Sequence, residues 1–142
     1  MTLTEVQDQI VEEFSAFEDW MDRYNYLIEL GGMLPPIDPK YKTDEFLING
    51  CQSKVWLHAE YESGKMKFSA DSDALIVKGI VALLIRALNN QHASEIMNAN
   101  LYFIDKIGLK ENLSPTRSNG LVSMVKKMKM YSLAYNTKHI GL

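Results

Sequence analysis

Cysteine is almost missing from this chain: among 142 residues there is one, Cys51. A lone thiol closes no intramolecular disulfide. Zinc and iron–sulfur sites need three or four ligands, with cysteines in close pairs, and those donors are lacking. The three histidines, His58, His92 and His139, are not paired at ligand spacing. Glycine-rich phosphate loops of the GxGxxG or GxxxxGK[ST] type are absent too. No apolar run reaches the ~20 residues that span a bilayer, and the longest, "ALIVKGIVALLI", is interrupted by Lys78. Basic residues do not dominate: 15 Lys and Arg stand against 18 Asp and Glu, a net charge of -3. That balance argues against a general nucleic-acid binder, which carries a basic face. The first residues, "MTLTEVQDQIVEEF", are acidic and amphipathic, unlike a charged, apolar, small-residue leader. The expectation is a cytoplasmic protein with no resident cofactor, no metal, and neither nucleic acid nor membrane as a partner.

What is there is globular: 46% apolar and 23% charged residues, and a length that suits one domain over 1–142. Val6, Ile10, Val11, Phe14 and Phe17 recur at helical spacing, and Thr4 with Gln7 fits a capping box. A second helix is expected over 18–30, ended by Gly31 and Gly32. "MLPPIDPKYKTDE" (33–45) holds three of the four prolines and reads as a long connection. "FLI" (46–48) suits a brief strand. "VWLHAEYE" (55–62) alternates, with Val55, Leu57, Ala59 and Tyr61 on one face and His58 on the solvent side. "SGK" (63–65) turns the chain and "MKFSA" (66–70) returns. A strong helix follows over 71–90, with Asp71 or Ser72 as its cap and Asp73 complementing its positive end. Shorter helical pieces are expected at "EIMNAN", capped by Ser94, and at "YFIDKIG". Ser114-Pro115 starts a last helix whose Leu121, Met124, Val125, Met128 and Tyr135 share a side. The lysines 126, 127 and 129 read as a solvated face, and the methionines as core. The order is α+β, with a small antiparallel three-stranded sheet and helices packed on one face.

Cys51 lies in "NGCQS" (49–53), a polar loop between two apolar runs. An inert, buried thiol would suit the general preference of free cysteine for cores. A reactive one would suit a loop held by a scaffold, with Gly50 allowing unusual backbone angles. Near pH 7 an ordinary thiol is only a few per cent thiolate, so a nucleophile there needs help from Gln52, Ser53 or backbone donors. A cysteine-nucleophile hydrolase or acyl transferase, with a histidine folded beside the thiol, is a further alternative. The residues alone leave these open. If Cys51 is shielded, the flanking runs Phe46–Ile48 and Val55–Leu57 are the expected walls.

Four stretches in order carry a resemblance that goes further. "INGCQSKVWL" (48–57) resembles the signature of the SufE/CsdE family of sulfur acceptor proteins, and "SADSDALIVKGIVALL" (69–84), "LSPTRSNGL" (113–121) and "RYNYLIELGGMLP" (23–35) are similar to further blocks of it. The match runs over about 4–135, and "NTKHIGL" reads as a dispensable tail. The resemblance implies a SufE/IscU-like fold and a sulfur carrier and desulfurase activator in iron–sulfur cluster assembly. Cys51 would take sulfane sulfur as a persulfide from a pyridoxal-phosphate cysteine desulfurase of the SufS/CsdA type. It would pass the sulfur to a SufBCD-type scaffold, working as a monomer or weak homodimer. Gly50, Gln52, Ser53, Asp73 and Arg117 are the implied loop-support and docking residues.

Overall fold

The computed structural model describes residues 1–139, the last of them by its backbone alone. Two helices come first, α1 (Leu3–Ser15) and α2 (Trp20–Gly32), then a hairpin of β1 (Val55–Glu62) and β2 (Lys65–Ser72). α3 (Leu75–Leu88), the short helices α4 (Ala93–Met97), α5 (Phe103–Lys106) and α6 (Leu109–Asn112), and the long α7 (Pro115–His139) follow. The architecture is α+β and mostly helical.

The alternation of β1 places Val55, Leu57 and Ala59 in the core, and Met66, Phe68 and Ala70 of β2 join them. Pairing is in full register from Val55 opposite Ser72 to Glu62 opposite Lys65. The turn needs positive φ at both central residues, and Ser63 (53°) and Gly64 (84°) supply it. The buried face of the hairpin packs against α3 and α7. The other face is partly roofed by the connection from α2: Tyr41 stacks on His58 at 3.6 Å, and the Lys42 ammonium sits 4.9 Å from the Trp56 ring. His58 is therefore covered rather than solvent-facing.

Among the described residues the sheet has two strands, not three. The expected strand at 46–48 contributes a single bridge, Leu47 to Trp56, and the Ile48 N–H to the Val55 carbonyl. Asp44–Phe46 coils into a 3-10 turn just before it, as Pro39–Tyr41 does earlier, and leaves no room for a longer pairing. β2 in turn runs past Ala70, because Asp71 and Ser72 still pair with Trp56 and Val55. Hence α3 starts at Leu75, and neither Asp71 nor Ser72 is its N-cap. That position is Ala74.

Other caps shifted for similar reasons. The capping box of α1 is Thr2 with Glu5. Gln7 is instead buried, donating to the Asn100 carbonyl and accepting the Phe103 N–H. α4 is preceded by His92 rather than capped by Ser94. Ser114 does cap α7, accepting the Arg117 N–H at 3.3 Å. Of the methionines, Met66, Met124 and Met128 are core, whereas Met1, Met21, Met33 and Met130 are exposed. The reputed tail continues α7 up to His139; its last three residues lie outside the described ones.

Gly31 does not end α2; it lies inside it and lets α2 and α3 touch backbone to backbone. A Cβ on Gly31 would lie 2.7 Å from the Gly79 nitrogen, and one on Gly79 would overlap the Leu27 carbonyl. Gly79→Ala is expected to force the helices apart at a cost of about 1–3 kcal/mol, lowering the melting temperature by roughly 5–10 °C. Gly32→Ala, where nothing lies within 4 Å, is the control and should not destabilise. Thermal melts of both variants decide the point.

Candidate functional site

The loop from Asn49 to Lys54 is closed at its base by Ile48 and Val55. A second clamp holds Lys54. Its N–H donates to Asp73 Oδ1 at 3.0 Å, and its carbonyl accepts from Ser72 Oγ at 2.8 Å and from the Asp73 N–H at 3.2 Å. Asp71, beside this clamp, pairs with Lys42 (3.1 Å) and Lys78 (3.5 Å). It keeps its proton less readily than an ordinary carboxyl: burial opposes the ionised form, and the hydrogen bond from Lys42 with the Ser72 N–H outweighs it. The acidic-serine-acidic run thus ties the thiol loop to the foot of α3.

At the top of the loop, Gly50 has φ 91°, and a Cβ there would lie 2.6 Å from Ser123 Oγ on α7. Both conditions call for glycine. Cys51 follows, half-buried against α7, with its thiol 3.6 Å from the Gly120 carbonyl. Gln52 and Ser53 complete the loop and, with Cys51, Val77, Ile80, Arg117 and Met124 among others, enclose a recess of about 20 Å³. That is room for one water-sized group. The walls are therefore α3 and α7, not the apolar runs at 46–48 and 55–57. Arg117, Gly120 and Met124 form one stripe of α7, three and four residues apart. Arg117 Nη1 is buried and has no hydrogen-bond partner among the described residues.

Burial raises the Cys51 pKa above that of an ordinary thiol. The carbonyl acceptor fits the same state, since it can receive S–H but offers nothing to a thiolate. Among the described residues, no histidine or carboxylate lines the recess. His58 is engaged with Glu60 and Tyr41, and among the described residues no three His, Cys, Asp or Glu side chains cluster to hold a metal ion. At neutral pH the raised pKa leaves the resting loop with less thiolate than an ordinary cysteine has. Alkylation by iodoacetamide should be several-fold slower in the folded chain than in urea. Its rate should rise with pH through a midpoint above the ordinary thiol range of about 8–9. Equal rates folded and unfolded would mean the recess does not shield Cys51.

The sequence from residue 8 to residue 132 matches the SufE family, described as an Fe–S metabolism associated domain. The chain belongs to the SufE family. An uncharacterized SufE-like protein of Rhizobium etli is 46% identical over 127 residues, covering 86% of each chain. One of Synechocystis is 38% identical over 127 residues, 89% of this chain and 80% of that one. The Arabidopsis thaliana SufE-like protein 1, chloroplastic/mitochondrial, is 35% identical over 92% of this chain but only 35% of its own length. The solution structure of a hypothetical protein from Thermus thermophilus superposes with a TM-score of 0.77, covering 93% of this chain and 96% of that one at 23% identity, and so supports the fold. No helix among the described residues is long and apolar enough to cross a membrane.

Of the residues singled out from sequence, Gln52, Ser53 and Arg117 share the recess with Cys51, Gly50 shapes the loop, and Asp73 clamps its base. Gly120 and Ser123 were missed. The signal for Gly120 was its place three residues after Arg117, on the same face of a helix.

Proposed function

We propose that this chain is a sulfur carrier, with Cys51 accepting sulfane sulfur from the persulfide of a pyridoxal-phosphate cysteine desulfurase of the SufS/CsdA type and passing it to a SufBCD-type scaffold. The observation that carries the reading is the recess itself. The chain's only thiol opens on a space for about one more atom, and Arg117, one of the residues lining it, has a buried nitrogen with no hydrogen-bond partner among the described residues.

The chemistry asks little of the protein. The Cys51 thiolate attacks the outer sulfur of the donor persulfide. A new S–S bond forms at Cys51, the donor S–S bond breaks, and the donor cysteine leaves as a thiolate that takes up the proton Cys51 gave up. No net oxidation occurs. The resting position disfavours the thiolate, so transfer begins only when a docked donor draws Cys51 out of the recess. Gly50 is the pivot, and the Lys54–Asp73 clamp stays fixed as its anchor. A returned persulfide is more acidic than a thiol, and the Arg117 guanidinium beside the recess then has an anion to meet, which favours sulfur on Cys51 over its return to the donor. This shields the sulfur from small thiols until a recipient docks. A hydrolase would need a base in reach of Cys51, and the recess lining contains none.

Intact-mass measurement after mixing with a desulfurase, pyridoxal phosphate and L-cysteine tests the reading. Addition of one or more sulfur atoms, all removable by reductant and mapping to Cys51, is the expected result. Desulfurase turnover without any mass gain on this chain would overturn it.

A further inference from the structure

α7 has a second working face. At 100° per residue, Val122, Lys126, Lys129 and Leu133 lie on the side of the helix opposite Arg117, Gly120 and Met124. Along that side run two adjoining grooves of about 480 and 440 Å³, which share Lys126 and Lys129. Their second wall is the segment from Met97 to Ile104. The floor is apolar and open to solvent: Val122 is 53% exposed, Met130 60% and Leu133 49%. Val122 opens on the first groove and Met130 with Leu133 on the second, and exposed apolar side chains lining adjoining grooves suit an interaction site. From Ser118 to Leu133 the two grooves together follow about 22 Å of α7, four turns of helix at 1.5 Å per residue.

The charge around the stripe selects what covers it. The rim carries Lys110, Lys126 and Lys129 against one carboxylate, Asp105, on a protein whose net charge is -3. A second copy pairing α7 on α7 about a two-fold axis would set these lysines against themselves. The open trough does not enclose a free lipid chain. We propose that this face docks an amphipathic helix of a partner protein, with apolar residues at i, i+3/i+4 and i+7 and acidic residues on its flanks. Because Cys51 lies on the other side of α7, the helix binds while the thiol loop is engaged. The proposal does not depend on sulfur transfer.

The probe is a fluorescein-labelled synthetic 16-mer helix with a leucine stripe and glutamate flanks, alongside a lysine-flanked version and a scrambled one. The acidic peptide should bind the full chain with amide shifts confined to the Met97–Asp105 segment, Lys110 and the Ser118–Leu133 face of α7. Binding should weaken about tenfold or more for Lys110→Glu/Lys126→Glu and for Val122→Asp, and weaken with added salt. Circular dichroism checks that each variant is folded. Equal binding of the scrambled or lysine-flanked peptide overturns the proposal. So do shifts elsewhere, or self-association of the chain through this face.

Discussion

Cys51→Ser is expected to take up no sulfur at all from a desulfurase and cysteine mixture, while melting within about 2 °C of the parent chain. The two halves rest on separate observations. Cys51 is the only sulfhydryl in the sequence, so no other side chain can form a persulfide. Its structural contribution is small: a half-buried sulfur with one long contact to the Gly120 carbonyl at 3.6 Å. A serine hydroxyl is smaller than the thiol and fits that space, and changes of this kind away from the core usually stay within about 0.5 kcal/mol. Labelled sulfur from cysteine, followed on denaturing gels, reads the first half and a thermal melt the second. Label on the serine variant would remove the sulfur-carrier reading outright. A large drop in melting temperature would instead make Cys51 a packing residue.

The parts of this molecule that were legible in the sequence are those governed by local repetition. β1 alternates with period two, and its inward set is the one the core receives. α3 and the buried face of α7 follow the helical spacing of Leu121, Met124 and Met128. Where several local solutions were equally good, tertiary contacts chose. Thr2-Glu5 and Thr4-Gln7 both have capping-box spacing, but Gln7 is drawn inward to satisfy the Phe103 N–H and the Asn100 carbonyl. Asp71 and Ser72 suit a helix start, yet pairing with Trp56 and Val55 holds them in the strand. The third strand failed because a 3-10 turn consumes Asp44–Phe46. The site shows the same division. The loop with its thiol was visible from "NGCQS" and from the resemblance. The walls of its recess come from Val77 and Ile80 on α3 and Arg117 to Met124 on α7, about 25 to 70 residues away, and periodicity names a buried face without naming what it meets.

Arg117→Ala should lower sulfur acceptance by Cys51 roughly 10- to 100-fold, the range expected when a charge-assisted hydrogen bond is lost. The motive is an imbalance: Arg117 is one of the residues lining the Cys51 recess, and its Nη1 is buried without a partner among the described residues. Leaving a donor unsatisfied costs stability, about 1–3 kcal/mol for a buried group, and removing it returns that cost. The alkyl stem of the arginine packs in the same wall, which offsets part of the gain. The melting temperature of the alanine variant should therefore stay level or rise while transfer falls. Arg117→Lys should restore little, because an ammonium is a point charge on a flexible stem and lacks the planar fork of donors. Single-turnover sulfur transfer and melting temperature, measured on one preparation of each variant, separate the outcomes. Transfer at the parental rate with a lowered melting temperature would assign Arg117 to packing. Docking and sulfur retention would then have to rest on the loop from Gly50 to Ser53 alone.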